Sequence, residues 1–338
     1  MTLIHSVIFL IAFFILSLIC KKKKFLLDQL SFSDHKKLTV NKRVPLLGGA
    51  YFLYIFIFNV NDQYFFLSYF LFAYFLVGLL SDLNFLNKPI VRFLIQTIIL
   101  FTFFNYAQIN ILSTRIAFLD NLLSYEPFNL LFCTFCSLIL INGFNFIDGV
   151  NGLSMGYFVL IFSSLLYFFS KNFDYLSFFT NGNFLILLVI LFTLILFGFI
   201  FLGDAGSYII GFVTSVMIIN INYLTPEVSP WFIIFLVWYP SYEVLFSILR
   251  KFITNTSSPF SADKNHLHQL LFKFYKKRFK TKYANSFSSL SILFYIFLNF
   301  LVAKNFLYDS VISIFLILFN LMIYTVLYFK LYANFKNS

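Results

Sequence analysis

A chain of 338 residues that is 61% hydrophobic and only 11% charged is not an ordinary soluble protein. Soluble domains carry about 25% charged residues, and a single aqueous core stops growing near ~250–300 residues. The net charge of +11 does not point to nucleic acid, because no basic soluble domain with interleaved aromatics is present to bind it; Lys and Arg instead gather in the loops that set membrane orientation.

A spanning helix needs about 20 mostly apolar residues. In chain order, eleven segments read as spans: 3–20, 46–59, 64–80, 91–109, 128–141, 153–170, 184–201, 207–222, 231–249, 287–303 and 310–329. The expected fold is therefore all-α, a single polytopic membrane domain over 1–338. The first segment is followed by Lys21 to Lys24 rather than preceded by basic residues. A signal peptide has the reverse order, so this reads as a retained span. Cys133 and Cys136 form a C-x-x-C inside an apolar run with no second ligand pair, which favours packing over zinc or redox chemistry.

Eleven spans put the termini on opposite sides. All but three of the 24 Lys and Arg, namely Arg115, Lys171 and Lys304, then share one side. The positive-inside rule makes that side cytoplasmic, with the N-terminus outside and the C-terminus inside. The polar motifs share it too: GLLSDLNFLNKP (78–89), NGFNFIDGVNG (142–152), FLGDAGS (201–207) and SPFSADKNHLHQLL (258–271). A transporter is expected to carry its polar groups near mid-membrane, in broken helices. Here Asp82, Asp148 and Asp204 lie at the inner ends of the third, fifth and eighth spans, which is the geometry of an enzyme working at the cytoplasmic interface.

Carboxylates at membrane depth are costly and usually functional. Taken singly, Asp204 would serve as a helix cap and Asp82 as a loop residue. Asn142, Asn145, Asp148 and Asn151 recur every third residue, so on a helix they share a drifting polar face. Hard oxygen ligands from several elements suit Mg²⁺, with Mn²⁺ as the alternative, bound together with substrate phosphates. Gly203 and Gly206 flank Asp204, and Gly149 and Gly152 lie beside Asn151. Glycines let backbone approach a ligand, although tight helix packing also uses them. His266 and His268, two apart, would share a face only on an extended segment and would donate hydrogen bonds to a diphosphate. Lys36, Lys37, Lys42 and Arg43 serve topology first and anion steering second.

These motifs resemble a known family. NFIDGVNGL (145–153) and FLGDAGSYIIGF (201–212) are the specific matches. PLLGGAYF (45–52) and YPSYEVLFSILRK (239–251), followed by SPFSADKNHLHQLL, extend them. The chain resembles the polyprenyl-phosphate N-acetylhexosamine-1-phosphate transferases, in the WecA-like branch of the superfamily that also contains the phospho-N-acetylmuramoyl-pentapeptide transferase. The resemblance implies transfer of a sugar 1-phosphate from a UDP-N-acetylhexosamine to polyprenyl (undecaprenyl) phosphate, with release of UMP, as the first step of a cell-surface glycan such as lipopolysaccharide or wall polymer. It implies an inner-membrane enzyme with its site facing the cytoplasm; a homodimer is one option for assembly. Asp82, Asp148 and Asp204 would be catalytic and metal-binding, with Mg²⁺ on Asp204. Asn145, Asn151, Gly203, His266 and His268 would bind substrate. Two positions depart from the family pattern: Ser81 stands where an Asp-Asp pair would begin, and Asn151 stands where a second Asp is common. The rival readings are a transporter or lipid flippase, and a non-catalytic homologue.

Overall fold

The computed structural model describes residues 13, 15–20, 22–23, 44–169, 183–254 and 265–336. Most of the first expected span, Lys36, Lys37, Lys42, Arg43, Lys171 and the first half of the 258–271 motif lie outside the described residues. Among those described, every regular element is helical and no β-strand forms. The helices are α1 (Gly48–Ile57), α2 (Leu67–Asp82), α3 (Pro89–Ala107), α4 (Ala117–Leu123), α5 (Glu126–Ile147), α6 (Leu153–Phe168) and α7 (Asn183–Leu196), then α8 (Gly203–Leu224), α9 (Pro230–Leu236), α10 (Trp238–Thr254), α11 (Leu267–Lys276), α12 (Thr281–Ala303) and α13 (Ser310–Lys336).

Helices thus lie over ten of the eleven expected segments. By length and composition, five can cross a membrane unaided: α3, α5, α8, α12 and α13. The pair α9–α10 makes a sixth if it counts as one broken span, bent by 77°. The helices α1, α2, α6 and α7 are apolar but shorter, at 10–17 residues. The broken span departs from the expectation of unbroken helices. Its cause is local: Pro240 sits in the first turn of α10, where its missing N–H and fixed φ prevent the helix from continuing back into α9.

The core is built around α8, whose best apolar window is 89% buried, against 17% for α13 at the periphery. α8 packs most extensively on α5 and α2, and next on α1. Small residues allow this. A Cβ on Gly49 would meet the backbone of Gly206, and one on Gly78 would meet the backbone of Ala205. With little hydrophobic drive between helices in lipid, such close backbone contact supplies the packing attraction. It also sets the chemistry, because Asp82 lies one turn beyond Gly78 and Asp204 precedes Ala205.

Polar groups collect at the two ends of the bundle. At one end Arg115 donates to the carbonyls of Glu227 (2.8 Å) and Tyr308 (2.9 Å), tying the α3–α4 and α12–α13 connections together. At the other end lie the C-terminal ends of α2 and α5 and the N-terminal ends of α3 and α8.

Candidate functional site

Asp82 ends α2 rather than starting a loop. α8 has no side-chain cap of its own. Asp82 supplies one from another helix: its Oδ1 accepts the Asp204 N–H at 3.1 Å and its Oδ2 the Ala205 N–H at 3.2 Å. A carboxylate there satisfies orphan donors and faces the positive end of the helix dipole. Gly203 makes the approach feasible. It holds φ +75°, and a Cβ on it would lie 2.6 Å from Asp82 Oδ2.

Asp204 then turns its carboxylate outward into a polar cluster. Ser81 Oγ donates to Oδ2 at 2.6 Å. The Arg92 guanidinium donates to the same oxygen at 2.9 Å and also to Ser81 Oγ. Asn145 Nδ2 donates to Oδ1 at 3.0 Å and contacts Ser207 Oγ at 3.0 Å. Arg92 and Asp204 keep 22% and 23% of their side-chain surface exposed, so solvent and ligand can reach the pair.

α5 runs to Ile147, so Asn142 and Asn145 belong to the helix and not to a loop. The four residues spaced by three do not act on one partner. Asn142 donates to Gln96 Oε1 at 3.3 Å, while Asn145 serves Asp204. Asp148 closes the C-terminus of α5, half-buried. Asn151 is tied to α12: its N–H donates to Asn285 Oδ1 at 2.6 Å and its carbonyl accepts Ser289 Oγ at 2.7 Å. Among the described residues no three His, Cys, Asp or Glu side chains gather closely enough to hold a metal ion. Asp82, Asp148 and Asp204 are therefore not a ready-made ligand set. The Asp82–Asp204 pair with Ser81 and Asn145 nevertheless offers hard oxygens and two carboxylates against one guanidinium. That suits Mg²⁺, which takes one or two carboxylates and completes its shell with phosphate and water.

His266 and His268 meet, although the segment is not extended throughout: Leu267 and His268 lie in the first turn of α11. His266 is the extended N-cap of α11, at φ −75° and ψ 152°. The two rings stack 5.4 Å apart with 6° between their planes. Both are buried, and Glu243 of α10 stands beside them. Burial pushes the His268 pKa below the ordinary imidazole value, against the opposing pull of Glu243. Cys133 and Cys136 are free thiols; Cys133 bonds Asn129 within α5, in agreement with packing.

Three functional candidates escaped the sequence reading as such. Arg92 was counted only as a topology charge, Ser81 only as a departure, and Glu243 only as part of a matched segment. Arg92 carries one signal: with Gln96 it forms an i, i+4 polar pair in a mostly apolar helix.

A model described as glycosyl transferase family 4 matches residues 64–222, the stretch that holds Ser81, Asp82, Arg92, Asn145, Asp148 and Asp204. The undecaprenyl-phosphate alpha-N-acetylglucosaminyl 1-phosphate transferase of Thermotoga maritima is 28% identical over 274 residues, 77% of this chain and 78% of that protein. The enzyme of the same name from Salmonella typhi is 27% identical over 242 residues, 68% of this chain and 65% of its own length, just under two thirds. The one from Escherichia coli K12 is 28% identical over 153 residues, 44% of this chain and 41% of that protein. The family resemblance read from the motifs stands on these matches, and they support a membrane glycosyl-1-phosphate transferase.

Proposed function

With that likeness to the undecaprenyl-phosphate sugar 1-phosphate transferases as premise, we propose that this chain transfers an N-acetylhexosamine 1-phosphate from a UDP-sugar to polyprenyl phosphate and releases UMP. The bond formed joins a lipid phosphate oxygen to the β-phosphorus of the donor; the bond broken is the diphosphate bridge, and the leaving group is UMP. The reading takes the site end of the bundle as the cytoplasmic face of the inner membrane. The observation that carries it is the Arg92–Ser81–Asp204–Asn145 network beside Asp82, where four helix ends converge on one partly exposed carboxylate.

Both substrates are anionic and repel each other, so catalysis depends on positioning and charge compensation. Arg92 is the cation at hand for a phosphoryl oxygen. Ser81 holds Arg92 and Asp204 in register, and Asn145 fixes the other Asp204 oxygen. The α8 N-terminus is taken up by Asp82, so it orients the Asp pair rather than binding phosphate itself. Asp204 and Asp82 would hold Mg²⁺, with Asp148 at the neighbouring C-terminus of α5 as the third carboxylate of the site. When bound, that ion would neutralise the developing charge on the phosphoryl oxygens. Ser81 is not a base, but none is needed: a phosphate monoester has its second pKa near ~6 and is mostly dianionic at neutral pH.

The test is UMP release by purified protein given undecaprenyl phosphate and a panel of UDP-sugars, with and without chelator. Turnover with at least one UDP-N-acetylhexosamine, abolished by chelation and restored by Mg²⁺ or Mn²⁺, is the expected result. No release with any donor would leave a non-catalytic homologue, and full activity in excess chelator would remove the metal.

A further inference from the structure

One buried carboxylate takes no part in the Asp204 network. Glu243 is 1% exposed and lies in the first half of α10, just beyond the break at Val237. A carboxylate so buried is costly unless it is paired. Its ion-pair partners are the two histidines: Oε2 lies 2.9 Å from His266 Nδ1, and Oε1 lies 3.7 Å from His268 Nδ1; the Tyr239 and Tyr324 hydroxyls also face it. One carboxylate thus faces both imidazoles with one oxygen each, and the rings are held parallel.

A carboxylate at Nδ1 fixes the tautomer and direction of an imidazole and turns its Nε2 outward. For His268 the outward direction is known. A Cβ on Gly149 would lie 2.5 Å from His268 Nε2, so the ring reaches the Asp148–Gly149 turn only because residue 149 has no side chain. One turn earlier on the same chain, Asn145 reaches Asp204. The turn after α5 therefore has the Asp204 network on one side and the histidine pair on the other. Both His268 nitrogens and Glu243 Oε1 are buried and make no hydrogen bond. Buried polar atoms are rarely left so; Tyr239 and Tyr324 stand ready to serve Glu243 Oε1, and His268 Nε2 at the Gly149 turn marks a place where a ligand's groups or a small closure completes the bonding.

We infer that Glu243 is a positioning residue: it orients His266 and His268 so that their Nε2 atoms meet the diphosphate oxygens of the nucleotide sugar at the Asp148–Gly149 turn. The inference rests on the transferase reading above. The competing account is a strut that merely pins α11 to α10. The two differ in what they do to each substrate. Positioning acts through the donor diphosphate alone, whereas a strut acts through the fraction of folded enzyme.

The experiment measures kcat, both KM values and thermal unfolding for full-length wild type, Glu243→Gln, His268→Ala and the double variant. Glu243→Gln keeps the size and removes the charge. It is expected to raise the KM for UDP-sugar about 10- to 100-fold, the scale of one lost hydrogen bond to a charged group, and to leave the KM for polyprenyl phosphate unchanged. The double variant is expected to lose less than the product of the two single losses, because the part of the Glu243 effect that runs through His268 is already gone while the part through His266 remains. Unchanged KM values with a lower kcat and lower unfolding temperature, or additive losses in the double variant, would overturn the assignment. If Glu243→Gln does not accumulate in membranes, Glu243→Asp carries the test: it keeps the charge at a longer reach, and an unaltered donor KM there also overturns it. An inert wild type defeats the transferase reading itself, a result distinct from an active wild type with an indifferent Glu243.

Discussion

Arg92 sits in the first turn of α3, behind Pro89 at the helix start. A cation there faces the positive end of its own helix dipole, which is unfavourable, so its position is explained by Asp204 and not by helix stability. Arg92→Gln is expected to lower kcat/KM by about 100-fold, the scale of one lost electrostatic stabiliser. Arg92→Lys should recover part of that, since it keeps the charge but not the planar fork that spans Asp204 and Ser81. Kinetics of UMP release check both, and equal rates for all three proteins would remove Arg92 from the site. Ser81 donates to Asp204 and accepts from Arg92. Losing one hydrogen bond to a charged group costs about 1.5 kcal/mol, roughly tenfold. Ser81→Ala should therefore run about tenfold slower yet keep turning over. A dead Ser81→Ala, or an inert wild type that Ser81→Asp switches on, would mean that a base at this position is required.

At the scale of the element, the key join is α2 to α8. The close approach at Gly78 and Ala205 brings Asp82 onto the α8 N-terminus, and Gly203 at φ +75° leaves room for the carboxylate. Asp82 is thus part of the scaffold as well as of the chemistry. Asp82→Asn should lower stability by about 1 kcal/mol, as loss of a charged cap does. Gly203→Ala should cost at least ~1–2 kcal/mol from its left-handed backbone alone, with further loss as the cap is displaced. Asp204→Asn, by contrast, should lose activity with little change in stability. Thermal unfolding in detergent, run beside the UMP assay, separates the three; an unaltered midpoint for Asp82→Asn would show that the charge of the cap contributes nothing, since Asn keeps one acceptor oxygen. The α9–α10 break has a similar local logic. It puts Pro240 against Gly143 of α5 and brings Glu243 close to the α11 histidines.

For the whole molecule, one end carries the Asp204 network and the histidine pair, and the opposite end carries Arg115, Tyr308 and Ser310. Among the described residues most Lys and Arg lie towards the first end, and by the positive-inside rule this is the observation behind the proposed cytoplasmic placement of that end. Lys280 begins α12 at the first end, and Tyr308, 64% exposed, precedes α13 at the second. In a background without other cysteines, Tyr308→Cys should react with an impermeant thiol reagent in intact cells. Lys280→Cys should react only after permeabilisation. The reverse pattern would invert the orientation and the proposed cytoplasmic site with it.

Hydrophobicity and motif spacing are local properties, and they carried a great deal here. The all-helical character of the described residues and ten of the eleven expected segments were legible because apolar run length and polar interruptions at span ends are written residue by residue; the same interruptions pointed to Asp82, Asp148, Asp204, Asn145 and the two histidines as candidates. Helix ends were less so: α5 continues past Asn145, and α8 begins at Gly203, because whether a polar residue extends a helix depends on what receives its side chain. Only the packed structure decided the partners. Asp82 caps N–H groups 122 and 123 positions away in sequence, Arg92 turns to Asp204, and Glu243 meets His266 across the α10–α11 connection. These pairings depend on backbones brought together by Gly49 and Gly78, and on the room that Gly149 leaves for the His268 ring. A glycine's missing side chain leaves no record in the sequence of which atoms will fill the space.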